Sequence, residues 1–353
     1  MKTDTFFINR PRAKSHTGKK NRSNYLVVAA MAIAALLCTS CSKEPKLHEC
    51  TVTFESNSGS LVAAQTVMEG ERVTKPHDPL REGYIFTAWC KEASLTTEWK
   101  FDTDVVTADM TLYAKWSVKL LKTALYAHGS TKYEYDNQYR LVKHSIFRND
   151  APINPVQIYE YRYNAAGDLV KRDYYAANPQ TEITEEFTIS GNTITVTLKE
   201  RGLPDVEITL SLNSDGYPIK REELRNDFIG GATYIRTYNY QNGNISKTSQ
   251  TRTYYDGVTI TLSDYEYLYD NMRSPLSCVK TPKWFMMSIF GTTGGPNNIT
   301  KESYYVYTNE TTRQLYRTTD YVYEYDSDGF PTKYNSLDSD GYETEIFFEY
   351  EWR

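Results

Sequence analysis

The sequence predicts a mainly β protein with two folded parts, a small β module and a larger antiparallel β meander that is either open or barrel-like. Of the 31 tyrosines in the 353 residues, only Tyr25, Tyr84 and Tyr113 precede residue 118, and tyrosine favours strands. A tyrosine-rich motif recurs after residue 118, and alternating apolar and polar segments precede it. The composition, 40% apolar and 24% charged, excludes wholesale disorder and a polytopic membrane protein.

Residues 1–40 have the pattern of a secretory signal peptide. Basic residues precede an apolar run from Tyr25 to Cys38, which is too short to cross a bilayer as a helix, since that needs about 20 residues. Small residues stand directly before Cys41, an arrangement that resembles the bacterial lipobox. The resemblance implies cleavage before Cys41, a lipid on that cysteine and a tether over residues 41–49. A secreted protein that is cleaved nearby is the alternative.

The residues around the cleavage site also bear on location and charge. Ser42-Lys43-Glu44 resembles the short charged signals of Bacteroidetes surface lipoproteins, which implies an outer-membrane lipoprotein that faces the cell exterior. Cleavage before Cys41 removes seven basic residues and one acidic residue, so the net charge of −5 becomes −11. Because an acidic protein does not attract nucleic acid by charge, no nucleic-acid partner is expected.

Residues 50–117 form the first predicted module. Alternation predicts a strand over Thr51–Phe54, and a turn cluster then leads into an extended segment at Val62–Val73. Further strands are expected at Tyr84–Trp89 and Met110–Trp116. Several tryptophans supply the apolar bulk that so small a core needs.

This module resembles the Listeria–Bacteroides repeat, also called the internalin B-repeat. The resemblance implies a compact β-grasp-like fold that occurs in surface proteins, with a stalk or spacer role and no catalysis. A protein-binding patch around Trp99 is an alternative to the structural role of its aromatic residues. The resemblance rests on four segments, Thr51–Ser60, Asp78–Trp89, Leu95–Phe101 and Asp104–Trp116.

Residues 118–353 carry a degenerate repeat with the template Tyr-x-Tyr-[Asp/Asn]-x-x-Gly-x-[Leu/Pro/Ile]-x-Lys. Two tyrosines at i and i+2 share one face of a strand, Asp or Asn opens a turn, and Gly supplies the positive φ of a tight hairpin. Each copy therefore predicts one β-hairpin, and the hairpins must pair side by side because one alone is marginal. The copies are Tyr133–Lys143, Tyr161–Lys171, Leu210–Lys220, Tyr238–Lys247 and Tyr323–Lys333, and Tyr265 begins another that runs into an insertion.

The template resembles the YD repeats of Rhs-type proteins and the YD-like hairpins of Bacteroidetes lipoprotein domains. Its tyrosines have two interpretations. They pack across strands as structural residues, or they form an aromatic platform that stacks on sugar rings or peptide.

The insertion after Tyr265 contains an apolar cluster followed by a glycine-rich loop. One interpretation is a short helix or plug that covers a face of the sheet. The other is an exposed loop that forms the candidate contact with a ligand or partner, because methionine and aromatic side chains make adaptable surfaces. The candidate contact residues are Trp284, Phe285, Met286, Met287 and Phe290.

The sequence contains no convincing catalytic or metal-binding motif. The cysteines Cys50, Cys90 and Cys278 form no CxxC pair; a Cys50–Cys90 disulfide is one option and burial as small apolar residues is the other. The Asp-Ser-Asp-Gly segments at Asp326 and Asp338 are better explained as turns than as calcium loops. No catalytic residue, metal or cofactor is predicted.

Together these features predict a lipid-anchored cell-surface protein that binds or adheres and is not an enzyme. In this hypothesis the repeat module is a stalk, and the tyrosine-rich domain contacts a glycan or protein. The alternatives are a structural or envelope-assembly lipoprotein without a soluble ligand and, least favoured, an enzyme that acts on an extracellular polymer.

Overall fold

The computed structural model describes residues 48–177, 180–225, 231–308 and 311–353, which form a small sheet followed by a large barrel. The predicted signal peptide and Cys41 lie outside the described residues. Within the described ranges, no helix is long and apolar enough to span a membrane.

The small sheet has four strands in the order β2-β1-β4-β3. The central pair, β1 and β4, is parallel, and the outer pairs are antiparallel, including the predicted first hairpin. Burial alternates along β1, and its Phe54 ring packs edge-on against Trp89 at 4.9 Å between centroids. The strands are β1 (Glu49–Glu55), β2 (Gln65–Met68), β3 (Ile85–Cys90) and β4 (Met110–Ser117).

The remaining sixteen strands form one closed antiparallel barrel, which confirms the predicted β architecture and selects the closed form over the open one. Closure comes from pairing between the last strand and the first, for example Ile346 with Tyr126. The strands are β5 (Lys119–Tyr126), β6 (Gly129–Tyr135), β7 (Leu141–Arg148), β8 (Gln157–Tyr163), β9 (Leu169–Ala177), β10 (Gln180–Ser190), β11 (Thr193–Glu200), β12 (Val206–Leu212), β13 (Pro218–Arg225), β14 (Ala232–Gln241), β15 (Asn244–Tyr254), β16 (Thr259–Arg273), β17 (Asn297–Thr308), β18 (Thr312–Tyr325), β19 (Pro331–Asp338) and β20 (Glu343–Trp352).

Each complete template copy forms a hairpin, and strand alternation places all of these turns at the same end of the barrel. The turn chemistry is the predicted one: Asp326 accepts hydrogen bonds from the backbone N–H of Asp328 at 2.9 Å and of Phe330 at 3.1 Å. Gly329 has a φ of 80°, whereas Tyr139 takes the same left-handed position in the first copy with a φ of 63°.

The insertion closes the end at which these turns lie. Residues 274–296, which we call the plug, connect β16 to β17 and contain a helix, α1 (Lys283–Ile289), and a 3-10 turn over Gly291–Gly294. The ring of Trp284 packs edge-on against Phe187 of β10, and that of Phe285 packs against Tyr161 of β8. Because these partners project inward, the helix lies inside the barrel.

The wall of the barrel is aromatic inside and charged outside. Along β18, Tyr321, Tyr323 and Tyr325 are half-buried, whereas Val322 and Glu324 between them are exposed. A lipid-embedded barrel has the opposite pattern, with an apolar band outside. The outer wall is therefore built to face water. Cross-strand ion pairs on this wall include Lys199–Glu186 at 2.7 Å, Lys247–Asp264 at 2.8 Å, Lys301–Asp320 at 3.0 Å and Lys333–Glu345 at 2.6 Å.

Candidate functional site

The interior of the barrel carries a stack of tyrosine rings on two adjacent strands. The rings of Tyr265 and Tyr304 stack with 4.5 Å between centroids and 18° between planes. The ring of Tyr267 lies 6.3 Å from that of Tyr265 and is nearly parallel to it, at 7°. All three rings project inward from β16 and β17, since residues at i and i+2 of a strand share a face. Because the rings of Tyr265 and Tyr304 cover one face of each other, the stack presents its ring edges and its uncovered faces to the interior of the barrel.

Charged groups flank this stack on the neighbouring strands. Glu302 stands opposite Tyr267, and burial raises the pKa of its carboxyl while the Arg317 guanidinium opposes that rise. Within the described part of the chain, no hydrogen bond or ion pair holds the Glu302 carboxylate. Arg317 is opposite Tyr304; one of its terminal nitrogens lies 3.9 Å from Asp338, and its Nε is buried without a partner.

A cavity of about 360 Å³ lies between the end of α1 and strands β14 to β16. The hydroxyl of Tyr238 is buried there and lacks a hydrogen-bond partner among the described residues. Burial raises the pKa of Tyr238, and the neighbouring Arg236 guanidinium opposes the rise. A buried hydroxyl that is left unpaired costs about 1–3 kcal/mol. The cavity is lined by Arg236, Tyr238, Ile245, Thr248, Tyr265, Tyr267, and Met287 to Thr292.

The structure places the five candidate contact residues on or beside α1, inside the barrel rather than in an exposed loop. Trp284, Phe285, Met286 and Met287 are buried against the wall, and Phe290 is half-buried. Two of them, Met287 and Phe290, line the cavity. A contact between this segment and a ligand would therefore take place inside the barrel.

Sequence reasoning missed the polar members of this site. Arg236, Glu302 and Arg317 lie outside the template tyrosines. A signal was nevertheless present, because Arg236 stands two residues before Tyr238 and Glu302 two residues before Tyr304. In a strand, that spacing puts each charge on the tyrosine face.

A second cavity, of about 550 Å³, lies at the junction between the small sheet and the plug. Lys283 forms an ion pair with Glu82 at 2.9 Å, and Lys280 donates to the carbonyl of Glu82 at 2.9 Å. The side chain of Lys280 also crosses the face of Tyr84, with its Nζ 4.4 Å from the ring centroid. These contacts join the small sheet to the closed end of the barrel.

The remaining chemical groups have structural roles. Cys50, Cys90 and Cys278 are buried free cysteines, and burial raises the pKa of each thiol. Asp326 forms an ion pair with Lys119 at 2.5 Å in addition to its turn bonds. Across the described ranges, no three His, Cys, Asp or Glu side chains gather as a metal site.

Comparison with protein families identifies the small sheet. Residues 51–115 are a Listeria-Bacteroides repeat domain. The resemblance predicted from the sequence is therefore confirmed for this part of the chain. The match covers the strands from β1 to β4 and stops before the barrel begins.

Two curated proteins are similar to this chain over short stretches. Two proteins of Evansella cellulosilytica that carry provisional names match: a Gly-rich membrane protein is 39% identical over 87 residues, and a membrane protein is 41% identical over 73 residues. These stretches are 25% and 21% of this chain but only 10% and 11% of the relatives. The chain thus matches about a tenth of the length of these relatives.

Among solved structures, two porin-like proteins resemble the chain. The protein from Bacteroides uniformis ATCC 8492 is 15% identical with a TM-score of 0.32, covering 67% of this chain and 97% of that one. The protein from Bacteroides vulgatus ATCC 8482 is 11% identical with a TM-score of 0.34, covering 66% of this chain and 99% of that one.

Proposed function

We propose that this is a lipid-anchored, non-catalytic binding protein of the cell envelope, in which the repeat domain is the spacer and the barrel holds the ligand. One observation carries the proposal: the barrel has a charged outer wall, an aromatic inner wall and, among the described residues, a plug at only one of its ends. A purely structural barrel needs no polar aromatic interior with unpaired groups, whereas ligand pockets combine apolar walls with a few placed polar groups.

Chain connectivity supports an outward-facing mouth. Ser117 ends the small sheet, and Lys119 begins the barrel at the plugged end. The N-terminal side of the chain, including Cys41, therefore connects to the closed end. The other end, which lies among the loops at residues 127–128, 149–156 and 255–258, would point away from the membrane. The repeat domain, a module of surface proteins, fits this arrangement.

Whole-cell protease shaving tests the anchor and the orientation. In wild-type cells we expect external protease to remove the barrel, and labelled lipid to be found on the protein. Cys41→Ala should abolish the lipid and release the protein from the envelope. Cys38→Ala is the matched control, because that cysteine follows two leucines and should change neither result. Unchanged retention of Cys41→Ala in the envelope would refute the anchor.

The binding role is tested against the envelope-assembly alternative. We expect the detergent-extracted protein to gain thermal stability with a soluble carbohydrate, peptide or aromatic acid from a panel of such ligands. Co-purification with fixed envelope proteins, combined with no stabilisation by any member of the panel, would instead favour a structural component.

A further inference from the structure

We propose that the inner wall between β14 and β18 binds a sugar ring, which packs against the stacked rings of Tyr265, Tyr267 and Tyr304 and is held by Arg236, Glu302 and Arg317. This inference rests on the binding function proposed above and names its ligand class and site. The site has three features that together match a polyhydroxylated ring: a stack of aromatic rings, unpaired donors and acceptors of both signs, and a cavity beside them.

The aromatic surface is the first feature. The stacked pair of Tyr265 and Tyr304 spans two strands, and Tyr267 extends it with a nearly parallel ring. Both rings of the pair are half-buried, although each lies inside the barrel. Aromatic residues supply contact area at low entropic cost and keep a polar tip for hydrogen bonding. The C–H groups of a sugar ring can pack against the uncovered faces and edges of these rings.

The unpaired polar groups are the second feature. The Tyr238 hydroxyl and the Arg317 Nε are buried donors without partners among the described residues. Glu302 supplies acceptors, and no described side chain pairs with it. Arg236 forms no ion pair in the described part of the chain. Hydroxyl groups both donate and accept, so one polyol can satisfy all of these groups at once.

The mixture of charges favours a sugar over an aromatic acid, the nearest rival class. An aromatic carboxylate would gain from the two guanidiniums but would meet the Glu302 carboxylate beside Tyr267. A neutral ring with several hydroxyls meets no such repulsion. Entry through the unplugged end requires that the ligand be a chain end or a short oligosaccharide rather than the middle of a polymer.

The test uses the whole protein, extracted in detergent, on an array of oligosaccharides, followed by calorimetry with the soluble form of each one bound. We expect at least one to bind wild-type protein. Tyr304→Ala should weaken binding at least tenfold, whereas Tyr304→Phe, which keeps the ring, should stay within threefold. Glu302→Gln should also weaken binding. Tyr305→Ala is the matched control, because Tyr305 faces outward and carries the Arg313 guanidinium 3.5 Å from its ring centroid.

The outcomes separate this inference from the function on which it rests. An empty array, together with stabilisation of the protein by an aromatic acid or a peptide, would overturn the sugar assignment and leave a binding protein. An empty array without stabilisation by any ligand would overturn both. Equal loss of binding in Tyr304→Ala and Tyr305→Ala would overturn the luminal site. Thermal melting of each variant separates lost binding from lost folding.

Discussion

At the residue scale, five tyrosines, among them the second tyrosine of three template copies, act as bridges between neighbouring strands. Each hydroxyl donates to a carbonyl on the preceding strand, whereas the register shifts at the same tyrosine in the ladder with the following strand. Each bridge therefore holds the preceding strand beyond the last residue pair of the ladder between the two strands. These bonds are Tyr135 to Leu121 at 2.7 Å, Tyr163 to Leu141 at 2.9 Å, Tyr240 to Pro218 at 2.7 Å, Tyr269 to Ile245 at 2.8 Å and Tyr350 to Pro331 at 2.8 Å.

The bridges predict the effect of removing one hydroxyl. Burial raises the pKa of Tyr240, so its hydroxyl stays protonated and able to donate. Tyr240→Phe should lower the free energy of unfolding by about 1 kcal/mol, because the ring remains but one hydrogen bond is lost. Urea unfolding would measure this. Tyr342→Phe, at a tyrosine that is 74% exposed, should leave stability unchanged; equal effects would contradict the bridging role.

A second residue-scale prediction concerns pH. His144 is buried and contacts the Tyr161 hydroxyl at 2.7 Å, and burial, assisted by the charge of Arg172, lowers its pKa to about 3. Below pH 6.5, the usual pKa of histidine being about 6.5, this side chain binds a proton in the unfolded chain but stays neutral in the folded protein. The contribution of neutral His144 to the free energy of unfolding is thus complete above pH 6.5 and is lost as the pH falls towards 3.

Unfolding at pH 7.0 and 5.5 checks this prediction. Between these two pH values, His144 should lower the free energy of unfolding by about 1 kcal/mol, and His144→Gln should lack that contribution. His128→Gln, at an exposed position, should keep the wild-type difference. The interpretation fails if wild type and His144→Gln have the same pH dependence.

At the element scale, the hairpins could be predicted from the sequence and the position of the plug could not. Turn chemistry is local, so Asp326 and Gly329 indicate a hairpin without knowledge of the rest of the chain. The apolar run at Trp284 indicates only burial, because the strands that bury it come from β8, β10 and other distant parts of the sequence. The same limitation hid the site, because Glu302 and Arg236 come to lie on the same inner wall only after the strands are in order.

The plug predicts a large effect of one core substitution. Phe285 is fully buried and contacts Phe187 and Tyr161, so Phe285→Ala leaves a cavity and should cost about 3–5 kcal/mol. Calorimetric melting would measure the loss. Ile289→Ala, on the same helix but 40% exposed, should cost about 1 kcal/mol or less. A small loss of stability in Phe285→Ala would mean that packing of α1 against the inner wall does not stabilise the barrel.

At the scale of the whole molecule, closure depends on contacts that the sequence does not reveal. The barrel closes where β20 meets β5, a pairing between residues more than 200 positions apart. No local pattern specifies such a partner. The alternation of each strand does specify which side chains share a face, and closure then decides that the tyrosine face is enclosed and the charged face is outside.

The charged outer wall leads to the last prediction, which concerns the chain from residue 48 onward, without the N-terminal segment. Ion pairs such as Lys199–Glu186 and Lys301–Asp320 would have to lose water to enter lipid, and a Lys or Arg on the outer wall costs about 2–4 kcal/mol at the bilayer midplane. We therefore expect this truncated protein to enter the aqueous phase in detergent phase separation, and the full-length lipidated protein to enter the detergent phase.

Val322→Lys, at an outward position that is 69% exposed, should leave folding and partition unchanged, as water-facing positions tolerate charge. Enrichment of the truncated protein in the detergent phase would instead mean that the barrel wall itself contacts the membrane.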